Sequence, residues 1–223
     1  MANRDPLVMR WPQNIIPVRH VTLSRERAIV TGPPPIAGAA QRVTSPGATW
    51  RLTYEGVLAR EASLATLRAV LARIEGRAQP IYVGPYDYAF GPVKRAGAVS
   101  PIFYTFAGGH IFSTGYRFVS SISDCTLAAD ASRGATEISL SNSPSAPLQA
   151  GDYFELAGRL HIIEELVGAD ARIWPRLRAS YTTGQKIEIA DPRMRAYLDG
   201  EATIQMQYGR WGETTLQFVE APW

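Results

Sequence analysis

The run Ala48-Thr49-Trp50-Arg51-Leu52-Thr53-Tyr54-Glu55 alternates residue by residue between two characters. Ala48, Trp50, Leu52 and Tyr54 share one face; Thr49, Arg51, Thr53 and Glu55 share the other. A period of two puts successive side chains on opposite sides of a pleated strand, so this strand has one buried face and one polar face. A few residues on, the period changes. Leu64, Leu67, Val70, Leu71 and Ile74 recur at helical spacing and predict a helix over 64–75 with one apolar stripe. Ser63 is placed to cap its N-terminus and Gly76 to end it in a left-handed turn. Arg60, Arg68 and Arg73 lie off the stripe. The simplest packing lays the helix across the apolar face of a sheet containing 48–55.

The C-terminal stretch repeats the alternation. Ile204, Met206 and Tyr208 face one way and Thr203, Gln205 and Gln207 the other. Gly209-Arg210-Trp211-Gly212 suits a short hairpin turn. The return strand, 214–220, has Leu216 and Phe218 on one side and Gln217 on the other. Shorter strands are expected at 18–23, 41–44, 81–83, 102–106 and 116–119. Gly32-Pro33-Pro34-Pro35-Ile36-Ala37-Gly38 reads as an exposed stiff loop, because proline lacks the donor a central strand needs.

Near residue 120 the texture changes. Short strands at 137–140, 153–156, 160–166, 171–175 and 186–189 are separated by turns at Gly151-Asp152, Ala157-Gly158 and Thr183-Gly184. That spacing predicts a small β-barrel or sandwich. Charge reverses too. Residues 1–118 carry 14 basic and 6 acidic side chains, whereas 119–192 carry 6 basic and 10 acidic. The fold expected is therefore mainly β (α+β) in two domains. A discontinuous domain of 1–118 and 193–223 is interrupted by an inserted small β-barrel over 119–192.

Composition bounds the chemistry. The chain has 223 residues, 46% hydrophobic and 19% charged, which argues against global disorder. Cys125 is the single cysteine, so there is no internal disulfide and no multi-cysteine zinc site. The net charge is only +3, and of the 23 basic residues only Lys94 and Lys186 are lysines. No run approaches a transmembrane span, and no secretory signal is expected. His20, His110 and His161 show no metal-ligand spacing. His161 is expected to be a satisfied or solvent-facing strand histidine, and Cys125 a packing residue. Glu164-Glu165 are neighbours on a strand, so they should point to opposite faces and cannot flank one bond. No nucleophile elbow or phosphate loop occurs. The arginines of 1–118 are dispersed and form no nucleic-acid reader. A non-enzyme with no metal and no cofactor is expected.

Two stretches carry a family resemblance. One is Thr49-Trp50-Arg51-Leu52-Thr53-Tyr54 with the helix at 64–75 and Ile81-Tyr82-Val83-Gly84. The other is Leu148-Gln149-Ala150-Gly151-Asp152-Tyr153-Phe154-Glu155-Leu156-Ala157-Gly158-Arg159-Leu160-His161. It is followed by Ile173-Trp174-Pro175-Arg176-Leu177-Arg178, then Gly184, and the chain nears its end in Phe218-Val219-Glu220-Ala221. The second stretch is similar to a segment recurring in tail proteins of phages that infect Gram-negative bacteria. Together with a helix-covered sheet, an inserted barrel and a closing hairpin, the pattern resembles the distal tail (baseplate hub) proteins of long non-contractile-tailed bacteriophages. Their first domain is similar to the tail-tube fold.

The resemblance implies a homo-oligomeric ring, a hexamer, at the end of the tail tube of a virion assembled in the host cytoplasm. Its partners would be the tail-tube protein on one side and baseplate hub and tail-fibre proteins on the other. DNA would pass through its lumen without specific binding, and no membrane is involved. On this reading Arg51, Thr53, Glu55, Gln205, Gln207 and Gln217 face the lumen. Trp50, Leu52, Tyr54, Ile204, Met206 and Tyr208 pack toward the helix. The barrel would be a spacer or a clamp between subunits. Two alternatives stay open: another tube-like ring such as a tail terminator, and a carbohydrate-binding β module for host-surface recognition. The latter would use exposed aromatics, with Trp174, Trp211 and Tyr181 as candidates.

Overall fold

The computed structural model describes residues 8–26, 29–31, 42–44, 48–74, 78–86, 92, 103–104, 118–119, 125–142, 148–207 and 211–221. The chain is mainly β and forms two compact units, one from 4–85 with 193–223 and the other from within 86–192. The second junction falls between Pro192 and Arg193. The sequence reading put the first junction at 118/119. The units divide instead at 85/86, and most of 87–124 lies outside the described residues.

In chain order the first unit contains β1 (Met9–Arg10), β2 (His20–Glu26), β3 (Ile29–Thr31), β4 (Arg42–Thr44), β5 (Thr49–Arg60), α1 (Ala62–Ile74) and β6 (Ile81–Val83). Next come β7 (Phe103–Tyr104), β8 (Phe118–Val119), β9 (Cys125–Leu127), β10 (Glu137–Asn142), β11 (Tyr153–Leu156), β12 (Arg159–Val167), β13 (Asp170–Trp174) and β14 (Lys186–Glu188). The chain then returns to the first unit with β15 (Met194–Leu198), β16 (Gln205–Gln207) and β17 (Trp211–Glu220). β3 pairs with β4 and β7 with β8 as separate two-stranded ladders.

The main sheet has the order β1-β6-β15-β17-β5-β2, with β16 added to β17. Every pairing is antiparallel except β1 with β6. β5 and β17 form its centre, and their alternation decides which face is dry. Trp50, Leu52 and Tyr54 are buried opposite Leu216 and Phe218. The phase of β5 changes where Glu55 and Gly56 oppose the single residue Thr215. This is a β-bulge, and Gly56 adopts φ +60°, which a side chain would strain. The bulge keeps Val57 and Ala59 on the buried face and turns Leu58 and Arg60 outward. Without it Arg60 would be driven into the core.

α1 lies on the buried face. Leu64, Leu67, Val70 and Ile74 are buried, as the stripe predicted, and Leu71 sits at its half-exposed margin. Each fully buried aliphatic side chain is worth about 1.5–3 kcal/mol over its exposed state. The helix begins two residues earlier than expected, and Ser63 is not its N-cap. Its Oγ accepts from the Arg60 backbone N–H (2.6 Å) and donates to the Arg60 carbonyl (2.8 Å), tying the helix back to the strand. Only Glu61, at φ 50°, separates β5 from α1. Gly76 lies outside the described residues.

Trp11, Tyr54 and Phe218 fill the other end of the same face. Their rings meet edge to face at 5.4–6.2 Å. The Tyr54 hydroxyl donates to the Gly84 carbonyl (2.9 Å) and accepts from the Gly84 N–H (3.0 Å). Buried Glu220 accepts the Trp50 backbone N–H at 3.2 Å, extending the ladder with a side chain.

The second unit holds a closed antiparallel barrel, β10-β13-β12-β11-β14-β9 and back to β10. Closure leaves none of its six strands as a free edge. Cys125, Leu127, Ile138, Leu140, Phe154, Leu156, Ile163, Ile173, Leu177 and Ile187 are among the residues that fill it.

Candidate functional site

The polar face of the main sheet is built row by row from the register of its strands. His20 stands opposite Glu55, and Thr22 opposite Thr53, which in turn faces Gln217. The next row runs Ser24, Arg51, Val219, Tyr197. Beyond the bulge, Leu58 faces Glu213 and Arg60 faces Trp211, with Gln205 and Gln207 opposite Glu213 and Trp211 on the other side. All six residues assigned to a lumen therefore fall on one face of one sheet, Gln207 by its register alone. Glu55, Gln205 and Gln217 are exposed, whereas Arg51 and Thr53 are half-buried.

Some charges on this face are engaged, whereas Arg10, Glu55 and Glu213 are exposed with no ion pair among the described residues and Arg195 Nε is buried without a partner there. Arg51 pairs with Asp199 at 2.6 Å and with Glu26 at 3.5 Å. Arg60 lies 3.7 Å from the Glu61 carboxylate and places its guanidinium over the Trp211 ring at 4.6 Å. What remains is a mixed wall of hydroxyls, amides and charges, with Leu58, Val219 and Trp211 among them. Gripping a nucleic-acid backbone requires cations free to replace counterions at phosphates, and arginines already held by carboxylates supply little of that.

The opposite assignments divide. Trp50, Leu52 and Tyr54 point into the core under α1 and Trp11. Ile204 and Met206 border Gly212 on the helix side, where the Met206 sulfur is 3.7 Å from an Arg68 nitrogen. Met206 is nonetheless 42% exposed, a rim residue rather than a core one. Tyr208 lies outside the described residues.

Of the three aromatics weighed for sugar binding, one belongs to the first unit and two to the second. Trp211 belongs to the main sheet, and its ring carries the Arg60 guanidinium. Trp174 is on β13, and Tyr181 packs against the barrel core. Burial raises the Tyr181 phenol above its ordinary range.

Within the barrel, two expectations need correction. Glu164 and Glu165 are both exposed, because a bulge between Ile163 and Glu165 breaks the two-residue period there. Glu164 lies 3.9 Å from Arg172, and Glu165 lines an open depression of about 210 Å³ with Glu137, Val167, Asp170, Ala171 and Arg172. Asp170 is occupied by the Ser139 hydroxyl. His161 is neither solvent-facing nor fully satisfied. It is buried, stacked on Phe154 (5.2 Å between centroids, 19° between planes), with Nδ1 2.8 Å from the Pro175 carbonyl and no partner on Nε2 among the described residues. Burial pushes its pKa down to about 4; the Pro175 bond opposes this, and Arg159 and Arg178 add to it.

Cys125 is buried, and its thiol is raised to about 11 by desolvation. A thiol held that high is a packing group rather than a nucleophile. Among the described residues no group of three or more His, Cys, Asp or Glu is arranged to hold a metal ion. No described helix is long and apolar enough to cross a membrane. Compared with known proteins, the chain matches no family model and no curated sequence.

Proposed function

We propose that this protein is a structural component of a bacteriophage tail tip, a distal tail protein whose copies close into a hexameric ring. The ring joins the tail tube to the baseplate hub and fibres and leaves a wet channel for DNA. The observation that carries the reading is the two-faced main sheet. One face is sealed by α1 and the Trp11–Tyr54–Phe218 cluster. The other presents Thr53, Gln217, the carboxylates Glu55 and Glu213 and the paired Arg51 along β5 and β17, with Leu58, Val219 and Trp211 among them. A channel wall for a moving polyanion needs to be hydrated, rigidly backed and poor in free cations, and the Arg51 and Arg60 guanidinium groups at its centre are both engaged. The tail-tube-like fold, the virion location and the absence of catalysis belong to the same proposal.

Ring closure uses the sheet's edges. β2 carries seven residues and pairs only with β5 among the described residues, so one side of its backbone is free to pair with a neighbouring copy. The inserted barrel, with 119–192 acidic where residues 1–118 are basic, serves as a spacer or a clamp between ring subunits. Sedimentation of the purified chain at rising concentration tests the reading. A species six times the 24.4 kDa chain mass supports it. A monomer at every concentration overturns it.

A further inference from the structure

The segment 175–181 covers one end of the barrel, and His161 holds it from inside. Leu177 is buried; its N–H donates to the Ala135 carbonyl (2.9 Å) and its carbonyl accepts the Gly134 N–H (2.7 Å). Tyr181 and Ala131 exchange backbone hydrogen bonds at 2.8 and 2.9 Å, and the Ser180 hydroxyl accepts the Arg133 N–H at 3.0 Å. The sixth contact comes from the barrel interior, where His161 Nδ1 meets the Pro175 carbonyl at 2.8 Å. A carbonyl only accepts, so Nδ1 carries the proton and Nε2 is the bare nitrogen. Nε2 is buried with no partner among the described residues.

We propose that His161 is an acid-released latch: a second proton, taken at Nε2, lifts segment 175–181 off the end of the barrel. The inference is independent of the ring reading. A proton on Nε2 makes a buried cation whose new N–H faces no acceptor, which is costly in a dry interior. Every charge known to act on the ring has the same sign. Arg159 comes from β12 itself and Arg178 from the covering segment; from β11 the Phe154 ring stacks on the imidazole, while the buried Glu155 alternates to the other face of that strand, opposite Leu160. The Nδ1 bond to Pro175 favours the imidazolium and opposes release, but burial and the two arginines outweigh it, so the ring, fixed on β12, gives up that bond and takes water at both nitrogens as the segment moves outward with Arg176 and Arg178. Covered, the imidazole titrates near 4; uncovered, it returns to its ordinary 6.5. That difference makes opening roughly 50-fold more favourable at pH 4.5 than at pH 7.

Amide hydrogen exchange on the full chain tests this, followed by NMR and corrected for intrinsic rates. Opening at Gly134, Leu177 and Tyr181 should rise by tens of fold between pH 7 and 4.5. Leu140 and Ile163, bonded within the barrel body, should lag well behind. The same amides should stay flat in His161→Phe. An unchanged profile, an equal rise in the reference amides, or the same response in His161→Phe overturns the latch. Should that variant fail to fold, the native chain still decides. The neutral ring must show the Nδ1–H tautomer, and the imidazole and segment amides must titrate together. An Nε2–H tautomer, or separate midpoints, overturns the proposal.

Discussion

Replacing Tyr54 with phenylalanine removes one oxygen from the centre of the main sheet and leaves its ring in place. The edge-to-face contacts with Trp11 and Phe218, both at 5.4 Å, should survive. What is lost is the partner of both backbone groups of Gly84, which is itself buried. A buried donor or acceptor left unpaired costs about 1–3 kcal/mol. Two such groups, partly relieved by local adjustment, set the expected loss at about 3 kcal/mol. That is large for one atom, because surface changes away from such features stay within roughly 0.5 kcal/mol. Equilibrium urea denaturation read by tryptophan fluorescence suits the unit, since Trp11 and Trp50 are both buried in it. Tyr197→Phe, on the half-buried outer face, serves as the control and should change little. A Tyr54→Phe variant within about 0.5 kcal/mol of the native chain would refute the claim that this hydroxyl pins β5 to the backbone where the chain leaves β6.

Three further outcomes follow from the same geometry. Gly212→Ala places a Cβ 2.6 Å from Leu64 and 2.9 Å from Ile204; it should destabilise by about 1–3 kcal/mol, and a double-mutant cycle with Leu64→Ala should recover part of that loss. His161 has its folded pKa depressed to about 4 against 6.5, so its contribution is intact above pH 6.5 and is lost as pH falls toward 4. The stability of the native chain should drop across that window by up to about 3 kcal/mol more than that of His161→Phe, as measured by urea midpoints. Cys125, buried with its thiol near 11, should resist iodoacetamide at pH 8 in the native state and react at once in denaturant; fast native labelling would contradict its burial.

The parts legible from sequence were those that local periodicity controls. Trp50-Arg51-Leu52-Thr53-Tyr54 and the stripe from Leu64 to Ile74 each state their buried face directly, and both faces are as read. So are five of the six barrel strands, within one or two residues at most ends, whereas β9, only three residues long, was missed. Two bulges escaped, because a bulge is set by the partner strand. Glu55-Gly56 against Thr215 moved the buried phase of β5, and the irregularity at Glu164 put two adjacent carboxylates on the wet side. β15 was missed although Met194, Ala196 and Leu198 alternate with Arg195 and Tyr197. Its five residues were absorbed into the C-terminal stretch, and its place between β6 and β17 is a long-range fact. The polar face was legible as a pattern. Its ion pairs were not, since Arg51 and Asp199 are 148 residues apart. Nor was the state of His161, which depends on the distant Pro175 carbonyl and on Phe154 across the ladder.

A cryo-electron microscopy reconstruction of the purified chain at high concentration tests the central claim most directly. The account predicts a sixfold annulus whose channel is lined by Arg51, Thr53, Glu55, Gln205, Gln207 and Gln217, with α1 behind them. Isolated single copies, or an annulus with those side chains on its outer surface, would contradict it.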